Sequence, residues 1–351
     1  MKRMTVVAIA AVMIAVAAGI ATAEQCLVST IAFSSTRDNP AGNPLLTSEI
    51  YLMDPDGTNP RRLTDDNAGD GMAKLSPDGK RIVFDSNRAR VAGEPLNTSD
   101  LFLMKADGKD QTMLTRGSSA TWSPDGKYIA FHRSASGTGL PINPNPGAAT
   151  TDSKIFVLRL PDDDEPMEEP INITNSEGQI DDDPDWSPDG KKIVFTRKPD
   201  TELPIQPPFL YPSQRIYVLD LETGVVKQLS HSDVEERAPA WSPDGTRIVA
   251  ECRTGPPNAA GVRTFEICVM DADGTNVNKL TNNAVAVVDA TPTWSPDGQK
   301  IVFHRILSEP RTTQLWVMNA DGTDPTQLTF PPGINLLAAW GLVRDKCPHD
   351  N

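Results

Sequence analysis

The residues best placed to do chemistry are acidic and recur at one spacing. Counted back five positions from a repeating tryptophan (Leu75 in one copy) stand Asp70, Gly117, Asp181, Glu236, Asp289 and Asn335. Four of the six are carboxylates, and Asp182, Asp183 and Glu235 lie alongside. Carboxylates gathered around one axis could hold a hard cation such as Ca²⁺, or receive a lysine or arginine from a partner. The other reading is that each Asp caps its own turn through backbone N–H groups. A second set is His132 and His304, each directly after a phenylalanine, Phe131 and Phe303. A transition-metal site wants three or four ligands, and the same position elsewhere holds Ser34, Asp85, Thr196 and Glu251. Hydrogen bonding at the surface or between neighbouring blades is the competing role for these histidines. The Asp-x-Asp-Gly-Thr-Asn turns at Asp54–Asn59 and Asp271–Asn276 are too short for a calcium-binding hand and lack its closing glutamate, so a turn role is expected. Nucleophile-elbow, His-Glu-x-x-His, phosphate-loop and dinucleotide motifs are absent.

The elements that must position these groups are set by a repeat. Trp-Ser-Pro-Asp-Gly occurs at Trp122, Trp186, Trp241 and Trp294, with Leu-Ser-Pro-Asp-Gly at Leu75. Pro presets the φ of a type I turn, Asp bonds back to the backbone and Gly takes the left-handed position. Each copy joins a strand A, ending in the tryptophan, to a strand B such as Ile82-Val83-Phe84 or Ile193-Val194-Phe195. A strand C follows, as in Ile50-Tyr51-Leu52-Met53, then a Gly turn and a short strand D such as Leu63-Thr64. Six B and six C strands can be counted, but only five A strands precede a hairpin. The sixth is Leu337-Ala338-Ala339-Trp340 near the end, and the first unit, beginning at Ile31, has no A strand before it. The two fragments complete one another. The fold expected over residues 24–351 is all-β, a six-bladed β-propeller of four-stranded antiparallel blades, its ring closed by the C-terminal strand pairing with the N-terminal three.

Strand direction then sorts the connections. A–B and C–D turns share one face and are tight. B–C and D–A loops share the other and carry the length, including a stretch with Phe209, Leu210 and Tyr211. Long proline-rich loops of this kind either form a contact surface or fold down over the blade tips. The acidic D–A positions belong to this same face, around the channel mouth. The expected binding set is therefore Asp70, Asp181, Asp182, Glu235, Glu236, Asp289, Phe209 and Tyr211, with Ca²⁺ as the cation the mouth would take and no other cofactor.

Residues 1–23 have Lys2 and Arg3, an apolar run from Val6 to Ile20 and Ala21-Thr22-Ala23, the pattern of a cleaved secretory signal. Export permits disulfides, and the cysteines number four. Cys26 and Cys347 flank the strands that close the ring, so a bridge between them would lock it. Cys252 and Cys268 lie on strands B and C of one blade. There Ala250 and Cys268 replace the Phe and aromatic residue of the other blades, and a bridge would compensate for thinner packing. A free buried thiol is the alternative. The net charge of −14 argues against nucleic acid and anionic membranes as partners.

The repeated Trp-Ser-Pro-Asp-Gly and Ile-Tyr-Val-Met-Asp-type strands resemble those of the TolB-like propellers, sometimes described as WD-repeat-like, along the whole chain beyond residue 23. The resemblance implies the propeller fold and a periplasmic or secreted protein that meets a protein or peptide in the cell envelope on its loop-rich face. The α/β domain that precedes the propeller in TolB has no counterpart here. Non-catalytic binding is the expected function. The alternative is a metal-dependent lyase or hydrolase acting on a sugar polymer or peptide, built around His132, His304, Arg133, Arg197 and Arg305.

Overall fold

A computed structural model describes residues 25–38, 47–91, 99–134, 153–161, 166–199, 214–230, 235–253, 264–283, 287–308 and 311–346. Every regular element among them is a β-strand, and no helix is long and apolar enough to cross a membrane. The strands form four-stranded antiparallel sheets in the order A–B–C–D. One such sheet runs Asp70–Leu75, Arg81–Ser86, Asp100–Lys105, Thr112–Arg116. Two of these groups merge into an eight-stranded sheet through a single parallel bridge, Phe265 to Val288. The chain's last strand, Asn335–Lys346, takes the A position beside Gln25–Ser35, with Trp340 opposite Ile31.

The Ser-Pro-Asp-Gly turn is closed by its own polar groups. Ser76 Oγ donates to Asp78 Oδ1 at 2.6 Å and accepts from the Arg81 N–H at 2.9 Å, while the Lys80 N–H donates to Asp78 Oδ1 at 3.1 Å. The same bonds recur at Ser123, Ser187, Ser242 and Ser295. The threonine of strand D has an equally local purpose. Thr64 Oγ1 accepts from the Ile50 N–H at 2.9 Å, and Thr174, Ser230, Thr281 and Thr329 do the same for Ile155, Ile216, Ile267 and Leu315. A strand D of two or three residues is thus pinned to strand C by a side chain as well as by the ladder.

Between sheets the packing is apolar. Each core cluster joins consecutive sheets: one holds Val83, Trp122, Ile129, Phe131 and Phe156. Another joins the last sheet to the first through Val302, Leu315, Leu328, Phe33 and Tyr51. Burial of these side chains, at roughly 2 kcal/mol each, is what holds neighbouring sheets together. Gly57 marks how close they come. At φ +86° its ideal Cβ would sit 2.6 Å from the Leu328 carbonyl oxygen, so only glycine fits this C–D turn.

Candidate functional site

The A strands begin on the loop-rich face, and there the acidic residues meet arginines of strand B. Asp181 receives two parallel bonds from Arg197, Nε at 2.6 Å and Nη2 at 2.9 Å; Asp289 receives the same pair from Arg305 at 2.7 and 2.8 Å. Arg88 Nη2 lies 2.7 Å from Asp70 Oδ2. All three carboxylates are buried. Each arginine also covers the aromatic pair of its own sheet. Arg197 lies 5.1 and 5.0 Å over Phe195 and Tyr217, and Arg88 sits 5.2 and 4.9 Å over Phe84 and Phe102. Asn335 serves Arg37 in the same way at 2.9 Å. Neither an open carboxylate ring nor a backbone turn cap describes Asp70, Asp181 and Asp289. They anchor arginines that close the end of each sheet. The register makes this possible by setting Asp181 directly opposite Arg197 and Asp289 opposite Arg305.

Three residues before each tryptophan the A strand bulges, and the residue there has a left-handed backbone: Met72, Ser119, Asp183, Ala238, Thr291 and Leu337, at φ +46° to +55°. Such a conformation is strained for these residues, and its N–H is turned out of the ladder. For four of the six, the residue after the strand B aromatic, or after Ala250 in its place, accepts it from the preceding sheet. Asp85 Oδ2 takes the Ser119 N–H at 3.2 Å, His132 Nδ1 that of Asp183 at 3.3 Å, Thr196 Oγ1 that of Ala238 at 3.0 Å and Glu251 Oε1 that of Thr291 at 2.8 Å. His132 is therefore an inter-sheet hydrogen-bond acceptor. His304 is buried against Thr291 Oγ1 at 2.7 Å, and burial pushes its pKa down to about 4. Among the described residues no group with metal-ligand spacing contains a histidine. The one such group is Glu49, Asp66 and Asp70, with oxygens within 4.8 Å of one another. Arg62 and Arg88 already bind these three carboxylates.

These bulges gather charge from several sheets. Lys198 Nζ bonds Asp182 at 3.0 Å, and Arg237 Nε bonds Glu251 at 2.7 Å. Burial pushes the Asp182 carboxyl up, but Lys198 and His132 outweigh it and leave the pKa lowered. Asp183, beside it, is raised: burial is the largest cause, His132 opposes it and Asp182 and Glu251 add to it. Among the described residues its carboxylate takes one hydrogen bond, from Ser119 Oγ at 3.3 Å. Asp85 is wholly buried and pushed up to about 7 by that burial, against bonds from the Ser118 hydroxyl and the Ser119 N–H. Such a cluster can receive a cationic group or move a proton at an inter-sheet seam.

Of the expected site residues, the structure gathers Asp182 into this cluster. Glu235 and Glu236 are buried at the start of the Glu236–Trp241 strand, tied to Arg253 and Gln214 through their backbones. Phe209, Leu210, Tyr211, Cys347 and residues 1–23 lie outside the described residues. Asp183, Lys198, Arg237 and Asp85 join the cluster without having been selected as site residues. The sequence signals for the aspartate were its place alongside Asp181 and Asp182 and its position three before a tryptophan. Cys252 and Cys268 form a disulfide, Cα–Cα 5.9 Å, across the sheet that lacks an aromatic pair. Cys26 is disulfide-bonded as well.

Comparisons with known proteins bear on the fold. The TolB beta propeller domain model matches residues 209–346. Over 104 residues the chain is 35% identical to the Tol-Pal system protein TolB of Anaeromyxobacter dehalogenans, a match covering 29% of this chain and 21% of that relative. The chain thus spans well under two thirds of that protein. The crystal structure of TolB from Acinetobacter baumannii superposes with a TM-score of 0.64 at 21% identity, covering 89% of this chain and 66% of that one. A putative TolB from Agrobacterium tumefaciens gives 0.56 at 19% identity, covering 91% and 99%.

Proposed function

Starting from a TolB-like β-propeller protein, we propose that this chain is an exported, non-catalytic binding module. Its four-stranded sheets make a six-bladed ring, closed where Asn335–Lys346 pairs with Gln25–Ser35. A protein or peptide partner docks on the face of the B–C and D–A loops, around the mouth of the axial channel. The observation that carries this reading is the charge cluster at the bulges. Among the described residues Asp183 is held there by a single hydroxyl, beside the partly exposed Asp182–Lys198 and Arg237–Glu251 pairs. A lysine or arginine of a partner would complete Asp183 and displace little else. The likeness to Tol-Pal system TolB proteins supports a partner in the cell envelope, and residues 1–23 supply the export signal. The histidines, His132 spent on an inter-sheet bond and His304 on Thr291 of the neighbouring strand, give the metal-dependent enzyme no comparable support.

The test is cross-linking capture from an envelope extract with the parent and an Asp182→Asn/Asp183→Asn variant of unchanged thermal stability. A partner held by the parent and lost by the variant is the expected result. Equal capture by both would move the site off this face, and no capture by either would overturn the binding reading.

A further inference from the structure

At the other end of the same A strands, where they run into the Ser-Pro-Asp-Gly turns, a cavity of about 280 Å³ opens. Its walls come from five of the four-stranded groups, with Lys74, Asp185, Trp241, Trp294 and Trp340 among them, and the turn prolines form its rim. This volume is at the lower end of small-ligand pockets, which begin at roughly 300 Å³.

The two charged groups of the cavity are in unequal states. Asp185 is satisfied: Oδ1 accepts from Thr121 Oγ1 at 3.0 Å and Oδ2 from the Trp241 N–H at 2.8 Å. Burial raises its pKa, and the charge of Lys74 is the largest opposing influence. The Lys74 ammonium makes no hydrogen bond or ion pair among the described residues, while its backbone carbonyl is fixed by the Trp122 indole N–H at 3.0 Å. The aromatic wall is held in place as well. Arg247 lies 4.7 Å over the Trp294 ring, and the Trp340 indole donates to Ser29 Oγ at 2.7 Å. A free cation on a positioned strand, facing indole and proline surface, suits an anion with an apolar body.

We propose that this cavity binds a carboxylate-bearing ligand the size of one apolar amino acid. The carboxylate sits on Lys74 Nζ and the apolar part lies against the tryptophans and prolines. The same chemistry is offered by a free small acid and by the C-terminal residue of a peptide chain. Asp185 lies two residues beyond Asp183 on the Gln179–Trp186 strand, but Lys74 takes no part in the bulge cluster and the controls below read this cavity alone, so this inference and the loop-face reading stand or fall separately.

Calorimetric titration of the full chain with N-acetyl-leucine and with the tripeptide Ala-Ala-Leu, each against its C-terminal amide, tests the assignment. Saturable binding with a dissociation constant of about a millimolar or tighter is expected for at least one acid. The amides should bind at least about tenfold more weakly, and Lys74→Met should cost the acids about the same factor while Lys74→Arg keeps most of the affinity. Tighter binding of the tripeptide would assign the site to a chain terminus, and equal or tighter binding of the single residue to a free acid. Amides that bind as well as acids, a Lys74→Met variant that binds as well as the parent, or no saturation by roughly 20 mM of either acid would overturn the proposal. Should Lys74→Met fail to fold, the acid–amide comparison on the parent decides alone.

Discussion

Replacing Asp85 by asparagine should stabilise the protein at neutral pH, and the gain should disappear in acid. Asp85 lies on the Arg81–Ser86 strand with no exposed surface. One oxygen accepts from Ser118 and Ser119, and the other, Oδ1, has no partner among the described residues. Burial, with a further push from Asp183, raises its pKa from 3.8 to about 7. In the unfolded chain the same carboxyl ionises near its ordinary value. Between the two values the folded state holds a proton that the unfolded state has released, so Asp85 withdraws stability as pH rises from about 4 to about 7. The full gap corresponds to about 4 kcal/mol, an upper bound for one buried group in a relaxing protein. Asparagine keeps an acceptor for Ser118 and Ser119 and cannot ionise. Urea unfolding of parent and variant should give equal stabilities near pH 4 and an advantage of about 2–4 kcal/mol for Asp85→Asn near pH 8. Carboxylates common to both proteins cancel in that difference. A difference that does not change with pH, or a variant less stable than the parent near pH 8, would refute the reasoning.

Asp289→Ala leaves the half-buried Arg305 without its two-bond partner and should cost about 3 kcal/mol by chemical denaturation, whereas Asp289→Leu combined with Arg305→Leu should recover most of it. Gly57→Ala, at φ +86° and with its Cβ aimed at the Leu328 carbonyl, should cost more than about 2 kcal/mol. Gly224→Ala, at φ +70° with nothing within 4 Å, should cost only about 1 kcal/mol, and melting of the two variants side by side measures the close approach. Removing the Cys252–Cys268 bridge, which spans 16 residues, by a double change to alanine should lower stability by about 3 kcal/mol in non-reducing buffer and leave it unchanged against a reduced parent.

The strand pattern was legible because its causes are local. Ser76 and Asp78 close their turn within five residues, and Thr64 reaches the Ile50 N–H across one tight turn, so a short motif carries all the information needed. The pairing of Cys252 with Cys268 followed from the missing aromatic pair on adjacent strands. The same local logic failed for the acidic residues. Five positions before the tryptophan, Asp181 and Asp289 could be placed on the right face, but not assigned to Arg197 and Arg305. That requires the register of the opposing strand beyond a long loop.

The repeating four-stranded unit, its turns and the all-β class follow from the order of residues, since turn chemistry and short apolar runs act over a few positions. How one sheet meets the next is settled only by tertiary packing. His132 accepts the N–H of Asp183 from 51 residues away, and Lys74 and Asp185 line one cavity built by five four-stranded groups. Those partners are chosen by the packing angle between sheets and by the left-handed bulges that turn each N–H outward. No spacing within a single repeat encodes either.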